Sequence, residues 1–170
     1  MTEFERVKVD REALDERART EPCFICRIVA RDPDFPAHHI VYEDDIAIAF
    51  LDKYPKMYGY TLVVPREHRE QVTGDFTAEE YLALQRVVHR VAEAVRVEVG
   101  AARLYLISLG SNEGNSHVHW HIAPLPRGVR YEQQQGEALR ADPYDIPEEQ
   151  QSSLAQRLRQ RLDQPEEGST

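Results

Sequence analysis

Positive charge is scarce in this chain. Its 21 Lys and Arg stand against 30 Asp and Glu, a formal net charge of −9. A field of that sign opposes binding a long polyanion or an anionic membrane, so an anionic ligand has to be held by local groups. Apolar runs are short as well. None approaches the roughly 20 residues that span a bilayer, and Met1–Asp10 lacks the apolar core of a signal peptide. The expectation is a cytoplasmic protein with neither a membrane nor a nucleic-acid polymer as partner. Cysteine is limited to Cys23 and Cys26, a C-x-x-C pair for which a disulfide is a poor explanation in a reducing compartment. What is present is 170 residues, 41% of them hydrophobic, enough for a single core of ordinary size.

The patterns run helix, strands, long helix, strands and polar tail. Residues 11–19 are charge-rich and predict an exposed helix stopped by Glu21-Pro22. Phe24, Ile25, Ile28 and Val29 have helical spacing and predict a short docked helix, ended by Asp32-Pro33-Asp34 and Phe35-Pro36. Ile40–Tyr42 and Ile46–Leu51 read as a hairpin about Glu43-Asp44-Asp45, and Tyr60–Val64 as a third strand closed by Pro65. Thr77 is the expected N-cap of a long helix carrying Leu82, Leu84, Val87, Val88, Val91, Ala92 and Val95. That stripe is more apolar than one sheet face needs, which predicts a second chain as its cover. Arg103–Leu109 and His117–Ala123 are the fourth and fifth strands. Beyond them, Gln150–Leu162 predicts an amphipathic helix on Leu154, Leu158 and Leu162, and Pro165–Thr170 a disordered end.

Chemistry concentrates in His117-Val118-His119-Trp120-His121. On a strand the three imidazoles share one face while Val118, Trp120 and Ile122 pack on the other. A row of polar rings gives a structural sheet little, but it suits a site that needs a neutral nitrogen nucleophile near pH 7. A solvated strand face and a metal site built from alternate histidines are the competing readings. Just upstream, Gly110-Ser111-Asn112-Glu113-Gly114-Asn115-Ser116 is either a plain hairpin loop or a donor of backbone N–H groups to an anion.

The segment His117–Ala123 resembles the signature of the histidine triad superfamily. The resemblance runs over roughly residues 23–126 through Cys23-Phe24-Ile25-Cys26, Val41-Tyr42-Glu43-Asp44-Asp45, Ala49-Phe50-Leu51-Asp52 and Gly59–His68. It implies an α+β fold, a five-stranded antiparallel sheet with a long packed helix, dimeric through that helix and the edge strand Arg103–Leu109. The chain then divides into a helical extension (1–22), the domain (23–126) and a C-terminal extension (127–170). The activity implied is nucleotidyl hydrolysis or transfer at an α-phosphate through a nucleotidyl-histidine intermediate. A substrate containing adenosine is expected, either a dinucleoside polyphosphate or a phosphoramidate. His at 121, where the transferase branch often has Gln, favours hydrolysis. A zinc-stabilised nucleotide-binding module with little turnover, and a nucleotidyl transferase or phosphorylase, are the alternatives.

Carried onto this sequence, the resemblance makes His119 the nucleophile. A hydrogen bond from its Nδ1–H to a backbone carbonyl would leave Nε2 free to attack. His121 holds phosphate oxygens or carries a proton, and His117 completes the triad. Gly114, Asn115 and Ser116 would donate to phosphate oxygens, and Asn112 would orient the leaving group. Asp52 would accept from the ribose hydroxyls, with Phe24, Ile25 and Phe50 lining the base pocket; core packing is the other reading of Phe50. Lys53 and Tyr54 stand where many relatives have apolar residues, and Tyr60 where many have His. Cys23, Cys26, His68 and His117 would make a four-coordinate structural zinc site. His38, His39 and His89 default to solvent. The polar run Tyr131–Gln135 would fold over a partner's active site, bringing Arg127 and Arg130 to a polyphosphate, or form a solvated tail.

Overall fold

Aliphatic runs cut by acidic and proline turns build the sheet. In the hairpin turn, Asp44 Oδ1 accepts from the N–H groups of Ile46 and Ala47 at 2.9 and 2.8 Å, which fixes the start of the second strand. The computed structural model describes residues 4–108 and 116–164. Its elements are α1 (Arg11–Thr20), α2 (Phe24–Val29), β1 (Ile40–Glu43), β2 (Ala47–Leu51), β3 (Thr61–Pro65), α3 (Ala78–Val99), β4 (Arg103–Ile107), β5 (Trp120–Leu125), α4 (Tyr131–Leu139) and α5 (Glu148–Leu162). The strands form one sheet in the order β1-β2-β3-β5-β4, with every neighbour antiparallel. No helix among the described residues is long and apolar enough to cross a membrane.

Alternation sorts side chains to the two faces. Val41, Ala47, Ala49, Leu51, Val63, Trp120 and Ile122 belong to a cluster with α3. Ile48, Phe50, Leu62, Val64 and Ala123 belong to a second cluster with Ile25 and Ile28 of α2 and Ala138 of α4. Helix α3 begins in a capping box: Thr77 accepts from the Glu80 N–H, and the Glu80 side chain accepts from the Thr77 N–H. It ends at Gly100, whose φ of 64° is the left-handed conformation that glycine adopts without a Cβ penalty.

Three expectations change. The apolar surplus of α3 is covered within the chain, because Leu154, Ala155, Leu158 and Leu162 of α5 join the cluster of Leu84, Val87, Val88, Val91, Ala92 and Val95. Two ion pairs reinforce this docking: Arg157 reaches Glu98 at 2.6 Å and Arg161 reaches the same carboxylate at 3.2 Å. The stripe therefore does not require a second chain. The run Tyr131–Gln135 is neither a free tail nor an arm but the start of α4, which lies on its own sheet. There Gln134 Oε1 accepts from Arg103 at 3.0 Å, and the buried Ala138 carbonyl accepts from the Tyr60 hydroxyl at 3.3 Å. Finally, β5 starts at Trp120 rather than His117. Val118 gives its N–H to the Arg69 carbonyl at 2.7 Å instead of to a ladder partner, so the first two histidines lie on the approach to the strand.

Candidate active site and metal cluster

The change at β5 splits the histidine row. His117 is fully buried and turns its Nδ1 to the cysteines, 3.6 Å from Cys23 Sγ and 3.5 Å from Cys26 Sγ. His68, from the segment after β3, brings its Nδ1 to 3.3 Å from Cys26 Sγ. The two cysteines flank the start of α2, where Cys23 as N-cap accepts from the Cys26 N–H. The four ligand atoms lie within 4.8 Å of one another. Tetrahedral zinc with Zn–S near 2.3 Å and Zn–N near 2.05 Å separates sulfur from nitrogen by about 3.5 Å, close to the 3.3–3.6 Å of the sulfur–nitrogen contacts just given. The outer nitrogens are also engaged. His117 Nε2 bonds the Pro65 carbonyl at 2.9 Å, and His68 Nε2 lies 3.3 Å from Glu70 Oε1, the kind of support that orients a ligating imidazole.

The chemistry of the donors agrees. Burial lowers the His117 pKa to about 4, which keeps the ring in its neutral, ligating form. Burial, with Cys23 beside it, pushes the Cys26 thiol up to about 11, so the protein alone disfavours a thiolate that a divalent cation would stabilise. The set fits structural zinc, with four protein ligands and no open position.

His119 and His121 form a second centre next to the first. His119 Nδ1 is 2.8 Å from the His117 carbonyl, so it donates there and leaves Nε2 unprotonated, with no hydrogen bond among the described residues. The Ser108 hydroxyl donates to the His119 carbonyl at 2.9 Å and ties β4 to this stretch. The rings of His119 and His121 meet at 4.7 Å between centroids, inclined by 63°. Burial lowers the pKa of both, His121 to about 3, with His119 and Lys56 adding to the effect there. His121 Nδ1 is buried without a hydrogen-bond partner among the described residues.

Other expected residues fall as follows. Asp52 follows β2, half-buried; its carboxylate accepts from the Tyr54 N–H at 3.0 Å, and its charge acts to raise the His119 pKa. Ile25 and Phe50 are closed in the second cluster at 0% and 1% exposure, with Phe24 at its edge. Ser116 is half-buried ahead of His117. Asn112, Gly114 and Asn115, with the loop donors expected of them, lie outside the described residues.

Two histidines depart from the solvent default. His38 is half-buried, stacked parallel on Phe35 at 5.5 Å and edge-on to Phe50 at 5.5 Å. Its place follows from the Phe35-Pro36 turn, which returns the ring over the aromatic three residues before it. His39 pairs with Glu148 in the first turn of α5 at 2.9 Å. His89 is exposed. Sequence reasoning missed Lys56, whose Nζ lies 5.1 Å from the centre of the Tyr60 ring, itself 5.8 Å from His121. The only signal was the unusual Tyr60.

Residues 36–128, more than half of the chain, match the HIT domain family. The chain belongs to that family, which supports a nucleotide-binding or hydrolase-type role. Among curated relatives, Protein hit of Bacillus subtilis is 36% identical over 108 residues, spanning 63% of this chain and 72% of that protein. Among solved structures, a hypothetical histidine triad nucleotide-binding protein from Sulfolobus tokodaii superposes with a TM-score of 0.67 at 27% identity, over 83% of this chain and 92% of that one. A Zn-bound histidine triad family protein from Mycobacterium smegmatis gives a TM-score of 0.63 at 25% identity, over 82% and 92%.

Proposed function

We propose that the chain is a nucleotidyl hydrolase that cleaves at the α-phosphate of an adenosine-containing nucleotide in the cytoplasm. The observation that carries this is His119, a neutral imidazole whose Nδ1 is committed to the His117 carbonyl at 2.8 Å. Its Nε2 attacks the α-phosphorus; the bond from phosphorus to the leaving group breaks, and that group departs with the electron pair and takes up a proton. Water then displaces His119 and releases the nucleoside monophosphate. Dividing one displacement into two lowers each barrier. His121, against His119 and with an Nδ1 that has no partner among the described residues, binds the phosphate oxygens or carries the proton. Asp52 accepts from the ribose, with Phe24 at the mouth of the base pocket. Cys23, Cys26, His68 and His117 would hold a zinc ion, which would supply a cross-link between α2 and the approach to β5.

A homodimer belongs to this reading. It rests on β4 being the last strand of the sheet among the described residues, and on Leu82 of α3 and Leu106 of β4, exposed at 56% and 49%. A panel of adenylylated and guanylylated substrates, assayed for nucleoside monophosphate, tests the activity. Release of adenosine monophosphate is expected, and a panel with no turnover contradicts it.

A further inference from the structure

Anion binding in a chain of net charge −9 needs a cation placed by local structure. Lys56 is such a cation. It sits in the turn between β2 and β3, half-buried, with its Nζ over the Tyr60 ring at 5.1 Å, and it makes no ion pair among the described residues. The same ring meets His121 edge-on at 5.8 Å, so one aromatic platform carries both the ammonium and the histidine. Tyr60 cannot swing away freely, because its hydroxyl is spent on the Ala138 carbonyl of α4. The ammonium's charge is felt at His121. Lys53, three residues earlier, is different. It is exposed, its Nζ lies 5.9 Å from the Tyr54 ring, and its charge is felt at His38 instead.

We infer that Lys56 reads the charge of the leaving group, selecting nucleotides whose α-phosphate is followed by further phosphates over those with a neutral leaving group. This rests on the nucleotidyl-transfer reading above. In this inference a phosphate held at His119 and His121 extends, in a polyphosphate, toward the Tyr60 ring, over which a half-buried lysine with no ion pair among the described residues offers its charge to an anion. A phosphoramidate has no charge beyond the α-phosphate to place there.

The test compares kcat/KM for diadenosine tetraphosphate and for adenosine 5′-phosphoramidate in wild type, K56Q, K56R and K53Q. Loss of one charge-assisted contact should lower the ratio of the two constants about tenfold in K56Q. K56R should recover most of it, and K53Q, with the same change in net charge, should shift the ratio less than about twofold. Equal losses on both substrates in K56Q, or an equal shift in K53Q, would overturn the inference while leaving nucleotidyl transfer intact. No turnover of either substrate by the wild type would overturn the underlying reading, and this inference with it.

Discussion

At the residue scale the site depends on keeping imidazoles neutral in a low-dielectric setting. His121 is held well below its ordinary pKa of 6.5, at about 3, chiefly by burial. The unfolded chain therefore binds a proton at this position that the folded chain refuses as pH falls below about 6.5, so folding loses stability on acidification through that window. The limit is about 1.4 kcal/mol per pH unit for one group. Replacing His121 with Gln should remove this share, and thermal melts of wild type and H121Q between pH 7 and 4 should show a shallower decline in the variant. Parallel declines would mean that His121 is solvated.

The existence of the histidine row was legible in the sequence, as was the pinning of His119 by a backbone carbonyl. The division of labour proposed within the row comes from resemblance and not from spacing. Alternation alone puts all three rings on one face, and what turns His117 aside is the Arg69 and Pro65 carbonyls that engage its segment. The first belongs to the segment after β3, which no periodicity describes, and the second to the last residue of β3.

At the element scale the positions of β1 to β4, α2 and α3 followed from periodicity and caps, each within a residue or two at its bounds. The docking of α4 and α5 did not. Leu154, Leu158 and Leu162 fix α5 as a helix but not the surface that receives it, and the polar run at Tyr131 did not announce α4 as a helix at all; only the paired surplus on α3 and α5 shows that each covers the other. The metal cluster ties elements in the same way, joining α2 to the segments after β3 and before β5. Purified protein should carry about one zinc per chain, since all four ligands come from one chain. Replacing both Cys23 and Cys26 with Ser should remove the metal and lower Tm more than it lowers kcat, as expected of a cross-link with no open coordination position. Elemental analysis beside melting curves decides; zinc-free protein whose Tm ignores added zinc would make the cysteines packed thiols.

At the scale of the whole molecule, the covering of α3 by α5 moves the proposed dimer interface away from the valine stripe. Val87, Val91 and Val95 lie in the core at 6%, 0% and 0% exposure, so a charge there would unfold the chain rather than divide a dimer. Leu82 is the position to change. Light scattering should give twice 19.7 kDa for wild type at micromolar concentration and a mass near 19.7 kDa for Leu82→Glu. A wild-type mass of 19.7 kDa at every concentration would remove the dimer.

The central claim is covalent catalysis by His119, and the most direct measurement is to trap the intermediate. Protein mixed with an adenylylated substrate, quenched during turnover under conditions that preserve a phosphorus–nitrogen bond, is digested and sequenced by mass spectrometry. The account predicts one adenylyl group on His119, absent from His119→Ala, with that variant below about a tenth of wild-type kcat, a barrier increase of more than about 1.4 kcal/mol. An adduct on another residue, or a His119→Ala variant that keeps more than that tenth, would contradict it.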